Sequence, residues 1–212
     1  MFEHHTVEQN QPEWFQLRAG KITMSELHKI MANYGKVFGP PAKQYAVNIA
    51  IEQITGKPVP SSFSNPHMDR GHEQEPKAKV LYESEKFVTV EPGGFYCSDS
   101  IGYSPDGLIP SEKGAIEIKS VISSIHYDNI RRQAVDPTKK WQCIGGMKFA
   151  GLDWIDFISY CEDFPEGNQL FVCRMFPDDF ADEFEMIDKR VREFQVLIAE
   201  TKKTIETSNY FL

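Results

Sequence analysis

The sequence predicts an α/β (α+β) fold in which a mixed β-sheet is flanked by helices. Three observations predict it. Up to about residue 85 the apolar residues recur at helical spacing. Between 86 and 176 they alternate, or run in short β-branched and aromatic stretches, and from 178 to 208 one long amphipathic stretch follows. The order of helices, sheet, helices, sheet and helix is not a regular βαβ repeat. With 212 residues, 41% apolar and 25% charged, and no internal repeat or long linker, the chain reads as one domain over 1–212. Its parts are a helical segment 12–85, a sheet core 86–176 and a closing helix 178–208.

Taken in order, Thr23-Met24-Ser25-Glu26 has the spacing of a capping box, after which Leu27, Ile30 and Met31 share a helix face and Gly35 supplies a stop. A second helix is expected from Lys43 to Thr55, ended by Gly56 and Pro58. A third starts at Asn65-Pro66, a capping residue with proline at the first helical position, and extends toward Tyr82, with Pro76 kinking it or resetting its start. Phe87–Val90 and Gly94–Cys97 read as strands around a Pro92-Gly93 turn. Ala115–Lys119 alternates, with Ile116 and Ile118 on one face and Glu117 and Lys119 on the other. Ser123 or Ser124 is placed to cap a helix running to Ala134, and another should follow Asp136-Pro137 and run past Trp141 to Ala150. Gly145-Gly146 within it suggests close packing. Trp154–Cys161 and Leu170–Phe176 are strands, and the helix from Pro177-Asp178 should turn Phe184, Ile187, Val191, Phe194, Leu197 and Ile198 inward.

Composition excludes disorder, collagen and disulfide-scaffold classes. No stretch approaches the ~18 consecutive apolar residues of a membrane span, and the polar, acidic first residues lack the pattern of a signal peptide. These features argue for a cytoplasmic protein that does not engage membranes. Cys97, Cys143, Cys161 and Cys173 form no C-x-x-C pair and are read as free, mostly buried thiols, and the histidines show no metal-ligand spacing. The net charge of −8 is unevenly spread: residues 151–212 hold 14 acids against 6 bases, whereas 111–150 hold 7 bases against 4 acids, including Arg131-Arg132 and Lys139-Lys140. A polyanion is therefore admitted at the middle of the chain and repelled from its C-terminal end.

The chemistry-bearing stretch is Ser104-Pro105-Asp106-Gly107 followed by Glu117-Ile118-Lys119. A turn delivers one carboxylate, and a strand delivers a second carboxylate and an ammonium two residues apart on one side. Carboxylates within about 4 Å repel by several kcal/mol, and a divalent cation relieves that repulsion. Mg²⁺ suits one or two carboxylates completed by waters and phosphate oxygens. On these residues alone a second reading stands beside it: a plain Asp106-Gly107 turn and a surface ion pair of Glu117 with Lys119.

Around this spacing the sequence resembles the PD-(D/E)xK nuclease superfamily, and within it the phage lambda exonuclease-like (viral recombinase, YqaJ-type) branch. The resemblance rests on Trp14, Arg18-x-Gly20-x-Ile22-Thr23-x-Ser25, Met68-x-x-Gly71-x-x-x-Glu75, Ser104-Pro105-Asp106-Gly107, Glu117-Ile118-Lys119, and Gln142 with Met147. These pieces cover residues 14 to about 150. The resemblance implies a restriction-endonuclease-like core and an enzyme that degrades one strand of linear double-stranded DNA 5′→3′ from a 5′-phosphorylated end. The products would be mononucleotides and 3′ single-stranded DNA for recombination. It implies Mg²⁺, as two ions with Mn²⁺ able to substitute, on Asp106, Glu117, the Ile118 carbonyl and Glu75.

By the same resemblance Lys119 activates water or stabilises charge, Gln142 lines the site, and Arg18, Ser25 and Ser104 form the 5′-phosphate pocket. A homotrimeric ring around DNA, a phage-type single-strand annealing partner and a phage or prophage origin in a bacterial cytoplasm are further implications. Glu26 beside Ser25 counts against an anion there, and Ser120-Val121-Ile122 departs from the family pattern. Two competitors remain: a structure-specific or restriction-type endonuclease with the same metal centre, and a non-catalytic acidic binding module.

Overall fold

In the computed structural model, which describes residues 2–59 and 66–208, the chain runs β1 (Glu3–His5), α1 (Pro12–Arg18), β2 (Ile22–Thr23), α2 (Leu27–Met31), α3 (Pro40–Thr55) and α4 (Pro66–Lys86). It continues through β3 (Phe95–Cys97), β4 (Ile101–Tyr103), β5 (Gly107–Ile109), β6 (Gly114–Ser120), α5 (Ser123–Arg132), α6 (Lys140–Ala150), β7 (Trp154–Tyr160), β8 (Leu170–Met175) and α7 (Ala181–Thr207). The strands form two mixed four-stranded sheets, ordered β1-β3-β4-β2 and β5-β6-β7-β8, rather than one. In the second, β6 is antiparallel to β5 and parallel to β7, with Glu117 level with Phe157. Two helices, α5 and α6, make the crossover that a parallel pair requires.

Where local signals were strong the elements agree with expectation. Helix α3 buries Ala42, Ala46, Ile49 and Ala50 on one stripe and ends at Gly56, whose φ of 66° is the left-handed cap expected of glycine. It starts three residues before Lys43 because Pro40 and Pro41 occupy the first helical positions, where a missing N–H costs nothing. Helix α7 turns Ile187, Val191, Phe194 and Ile198 into the core, with Phe184 and Leu197 half-buried against it.

Several local expectations are corrected. The capping box does not form: Met24–Glu26 is a single 3₁₀ turn, the Thr23 hydroxyl lies against Ser25 Oγ (3.3 Å) and Tyr45 OH (3.3 Å), and Glu26 pairs with Lys29. Neither Ser123 nor Ser124 caps α5, because Ile122 is the cap residue and Ser123 Oγ turns to Cys161 Sγ at 3.7 Å. Helix α5 stops at Arg132, before Ala134, with Gln133 left-handed at φ 52°. Pro76 does not reset the start of α4, which runs from Pro66 through it to Lys86. The expected Asn65 cap, like the side chains of His67, Met68 and His72, lies outside the described residues.

Phe87–Val90 forms no strand, since Phe87 takes φ 56° with an exposed ring and the Val90 N–H donates to Glu83 Oε1 (2.7 Å), leaving one bridge from Glu91 to Leu108. One of the acids of 151–212 cannot add to the repulsion at the surface: Asp156 on β7 is buried, accepting from Arg174 (2.8 and 2.9 Å) and Tyr82 OH (2.7 Å). Three of the four cysteines are buried and all are free.

The main core lies between the sheets and helices α2, α3, α6 and α7. Gly145 and Gly146 are what let α6 enter it. A Cβ on Gly146 would stand 2.5–2.8 Å from the ring of the buried Tyr103, and one on Gly145 would meet Met24 and Leu27. Close packing of α6 thereby brings Gln142 down onto β6.

Candidate active site

The site is built where β5 begins and β6 continues past it. Asp106 immediately precedes β5; its N–H donates to Ile116 O (3.1 Å), while its Oδ2 accepts the Ile118 N–H at 2.6 Å. The carboxylate thus takes the place of the next backbone acceptor of β5. Gly93 makes this turn possible, since a Cβ there would overlap the Pro105 carbonyl. Glu117 is fully buried, and its Oε1 accepts from Lys119 Nζ (2.6 Å) and, by a short bond, from Gln142 Nε2. Lys119 Nζ also lies 3.7 Å from Asp106 Oδ2. The surface-pair alternative for Glu117 and Lys119 is excluded by this burial.

Electrostatics follow from the crowding. Burial first, then the nearby Asp106 charge, push the Glu117 carboxyl up to about 8. The same two causes raise Glu75 on α4 to about 7, so Glu75 does reach the neighbourhood of Asp106 and Lys119. Burial works against the Lys119 ammonium, but Asp106 and Glu117 outweigh it and hold the proton more tightly than in a free lysine. Three acids and one cation therefore share a space where the carboxylates cannot all comfortably ionise.

A divalent ion fits this arrangement. Glu117 Oε2 is buried without a hydrogen-bond partner, an orphan acceptor in a site whose other oxygen is doubly bonded. Strand alternation sends the Ile118 carbonyl along the same edge as its N–H, toward Asp106. Among the described residues no three His, Cys, Asp or Glu side chains gather as a ligand cluster, so Glu75 is near but does not complete one. Two carboxylates and a carbonyl suit Mg²⁺, which keeps several waters, and not the four-ligand cage of zinc.

A second group adjoins the first through Ser104. Its hydroxyl donates to Gly94 O (2.6 Å) and accepts from Trp14 Nε1 (3.0 Å). The Arg18 guanidinium stacks 4.1 Å from the Trp14 ring, and its Nη2 lies 3.5 Å from Ser25 Oγ. The structure therefore links Arg18, Ser25 and Ser104, with Trp14 as the joint. Arg18 pairs with no carboxylate among the described residues, and burial lowers its pKa despite Tyr45, Glu26 and Glu52 nearby. Ser25 sits in a three-residue 3₁₀ turn, so helix-dipole support for an anion is weaker than a true helix start would give.

The YqaJ-like viral recombinase domain matches residues 13–153, a span that begins beside Trp14 and ends just past α6. The chain belongs to that family. No curated relative matches it by sequence. Among solved structures, it is similar to an alkaline exonuclease from Laribacter hongkongensis at 28% identity, covering 93% of this chain and 99% of that one with a TM-score of 0.77. The same exonuclease in complex with dAMP matches equally. A phage-related exonuclease from Haemophilus somnus 129PT, at 17% identity over 91% and 98% of the two chains with a TM-score of 0.70, shares the fold. The likeness to the Laribacter exonuclease gives the chain the restriction-endonuclease-like fold class, and no helix among the described residues is long and apolar enough to cross a membrane.

Sequence reasoning missed several residues of this region. Tyr45 OH accepts the Thr23 N–H (2.8 Å) from α3, and Glu52 accepts the Gly20 N–H (2.8 Å), together fixing the loop that presents Arg18 and Ser25. Tyr103, one residue before Ser104, packs beneath α6 with its hydroxyl buried. No spacing rule marks Tyr45 or Glu52, which lie more than twenty residues from their partners. The position of Lys139 three residues before Gln142 was a usable signal, since that interval shares a helix face.

Proposed function

We propose that this chain is a Mg²⁺-dependent exodeoxyribonuclease that degrades one strand of linear double-stranded DNA 5′→3′ from a 5′-phosphorylated end. The observation that carries the reading is the convergence of Asp106, Glu117 and Lys119 around an orphan carboxylate oxygen. When bound, the metal supplies Lewis acidity and a nucleophilic water at neutral pH. Asp106, Glu117 and the Ile118 carbonyl would hold it, with Glu75 serving a second ion or its waters and Mn²⁺ able to replace Mg²⁺. Lys119, kept protonated, donates to charge building on the phosphate, and Gln142 holds Glu117 in its rotamer.

Arg18 offers a two-pronged donor to a terminal phosphate, and Ser25 a hydroxyl. Ser104 gives its own proton to Gly94 and so acts on the pocket by orienting Trp14. Similarity to an alkaline exonuclease, itself solved in complex with dAMP, supports end-directed cleavage to mononucleotides. A homotrimeric ring threaded by DNA would let an acidic subunit retain its substrate topologically. The resulting 3′ single strand would pass to a phage-type annealing protein in a bacterial cytoplasm.

The test is end-labelled duplex with 5′-phosphate, 5′-hydroxyl or closed-circular ends, with and without Mg²⁺. Mg²⁺-dependent release of mononucleotides from 5′-phosphorylated linear DNA is expected, and Asp106→Ala, Glu117→Ala and Lys119→Ala should abolish it. Degradation of intact circles would replace this reading with an endonuclease. Normal activity in all three variants would remove the site itself.

A further inference from the structure

Of the four cations in Arg131-Arg132 and Lys139-Lys140, three are occupied locally. Arg131 pairs with Asp128 (3.2 Å), Arg132 donates to Asn129 Oδ1 (3.0 Å), and Lys140 pairs with Glu183 on α7 (2.9 Å). Lys148, on the same helix as Lys140, is likewise paired with Asp188 of α7 at 3.0 Å. Lys139 is the exception: among the described residues its ammonium has no carboxylate or hydrogen-bond partner, although the side chain is half-buried. Its backbone is the cap of α6, bonded to Asp136 O (2.8 Å) and accepting from Gln142 N–H (3.0 Å).

Three residues along the helix, Gln142 touches Glu117, so Lys139 projects over the same face toward the carboxylates. Its charged neighbours are Lys119, Asp136, Glu117 and Glu26. Helix α6 packs on the Met24–Glu26 turn through Gly145 as well as on Glu117 through Gln142, and Glu26 is a charged neighbour of both Arg18 and Lys139, so Lys139 stands near both the carboxylates and the Arg18–Ser25 group. Burial first and Lys119 second lower its pKa, the mark of an ammonium confined beside another cation without a counterion of its own. An anion between the two groups would relieve both costs.

We propose that Lys139 is a DNA-contacting residue of this enzyme, holding a backbone phosphate of the substrate strand between the Arg18 end pocket and the Asp106–Glu117 centre. The inference rests on the nuclease reading above. A lysine here acts as a point charge on phosphate and carries no base specificity.

The test compares wild type, Lys139→Gln and Lys139→Arg for binding to 5′-phosphorylated duplex in Ca²⁺, with cleavage checked on a gel, as salt is raised. One phosphate contact contributes about 0.9 to the slope of log affinity against log salt, so from about 50 to 200 mM the wild type should lose about 3.5-fold more affinity than Lys139→Gln. Lys139→Arg should restore the wild-type slope, and all three proteins should melt together. Equal slopes for wild type and Lys139→Gln, with the wild type binding normally, would overturn the Lys139 assignment alone. A wild type that neither binds nor cleaves duplex DNA would overturn the nuclease reading and this inference with it.

Discussion

Replacing Gly146 with alanine sets two opposing effects against each other inside α6. Alanine is the better helix former by about 1 kcal/mol, so on an exposed helix the change would stabilise. Here the added carbon would stand 2.5, 2.8 and 2.8 Å from three carbons of the Tyr103 ring. Carbon atoms in contact ordinarily sit about 3.5–4.0 Å apart, so either the ring or the helix must give by most of an ångström. Tyr103 is 1% exposed on a central strand of its sheet, and a rigid ring has no flexible end to swing aside. With three ring carbons under 3 Å from the added atom, the cost falls in the upper part of the overpacking range, about 2–3 kcal/mol, which outweighs the propensity gain for a net loss of about 1–2 kcal/mol.

In a chain of 212 residues that loss corresponds to a fall in Tm of about 2–8 °C. Urea unfolding followed by circular dichroism measures it, with Gly145→Ala as the companion. The Gly145 carbon meets the ends of the Met24 and Leu27 side chains, which are more adaptable, so that variant should lose less. Because α6 carries Gln142 and Tyr103 precedes Ser104, Gly146→Ala should also lower nuclease activity. A Gly146→Ala protein as stable as wild type, or more so, would refute the account of how α6 is seated.

Two further outcomes follow from buried charge. With no divalent ion bound, folded Glu117 and Glu75 hold protons more tightly than the ordinary carboxylate value of 4.5, so their contribution to stability is full below that pH and is lost as pH rises through about 7 and 8. Mg²⁺ competes with those protons, and the rise in Tm on adding it should therefore be larger at about pH 8.5 than at about pH 6; a rise independent of pH would contradict the assignment. Arg174→Ala strands the buried Asp156 carboxylate with only Tyr82 as donor, and since the arginine is 38% exposed the expected cost is about 2–3 kcal/mol by chemical denaturation. Unchanged stability would mean that solvent already satisfies Asp156.

Much of the site was legible because its geometry is local. Asp106 ends a turn, Glu117 and Lys119 share one side of a strand, and Gln142 lies on a helix whose start Pro137 announces; period and turn chemistry are enough for each. The same economy explains the errors. Thr23-Met24-Ser25-Glu26 has the letters of a capping box, but Tyr45 and Lys29 offered its side chains better partners from outside the turn. Phe87–Val90 has strand composition, yet Glu83 captured the Val90 N–H before a ladder could form.

Sequence periodicity by itself determined the mixed architecture, the inward faces of α2 and α7, and the placing of Glu117 and Lys119 on one side of a strand, because backbone geometry repeats every 2 or 3.6 residues and needs no distant information. Only the tertiary structure decided that the strands divide into two sheets, that Trp14 joins Ser104 to Arg18, and that among the described residues the Lys139 ammonium, unlike the side chains of Arg131, Arg132 and Lys140, has no polar partner. Those outcomes depend mainly on which groups meet across intervals of up to about ninety residues. At such intervals desolvation and packing choose the partner, and no short-range pattern records the choice.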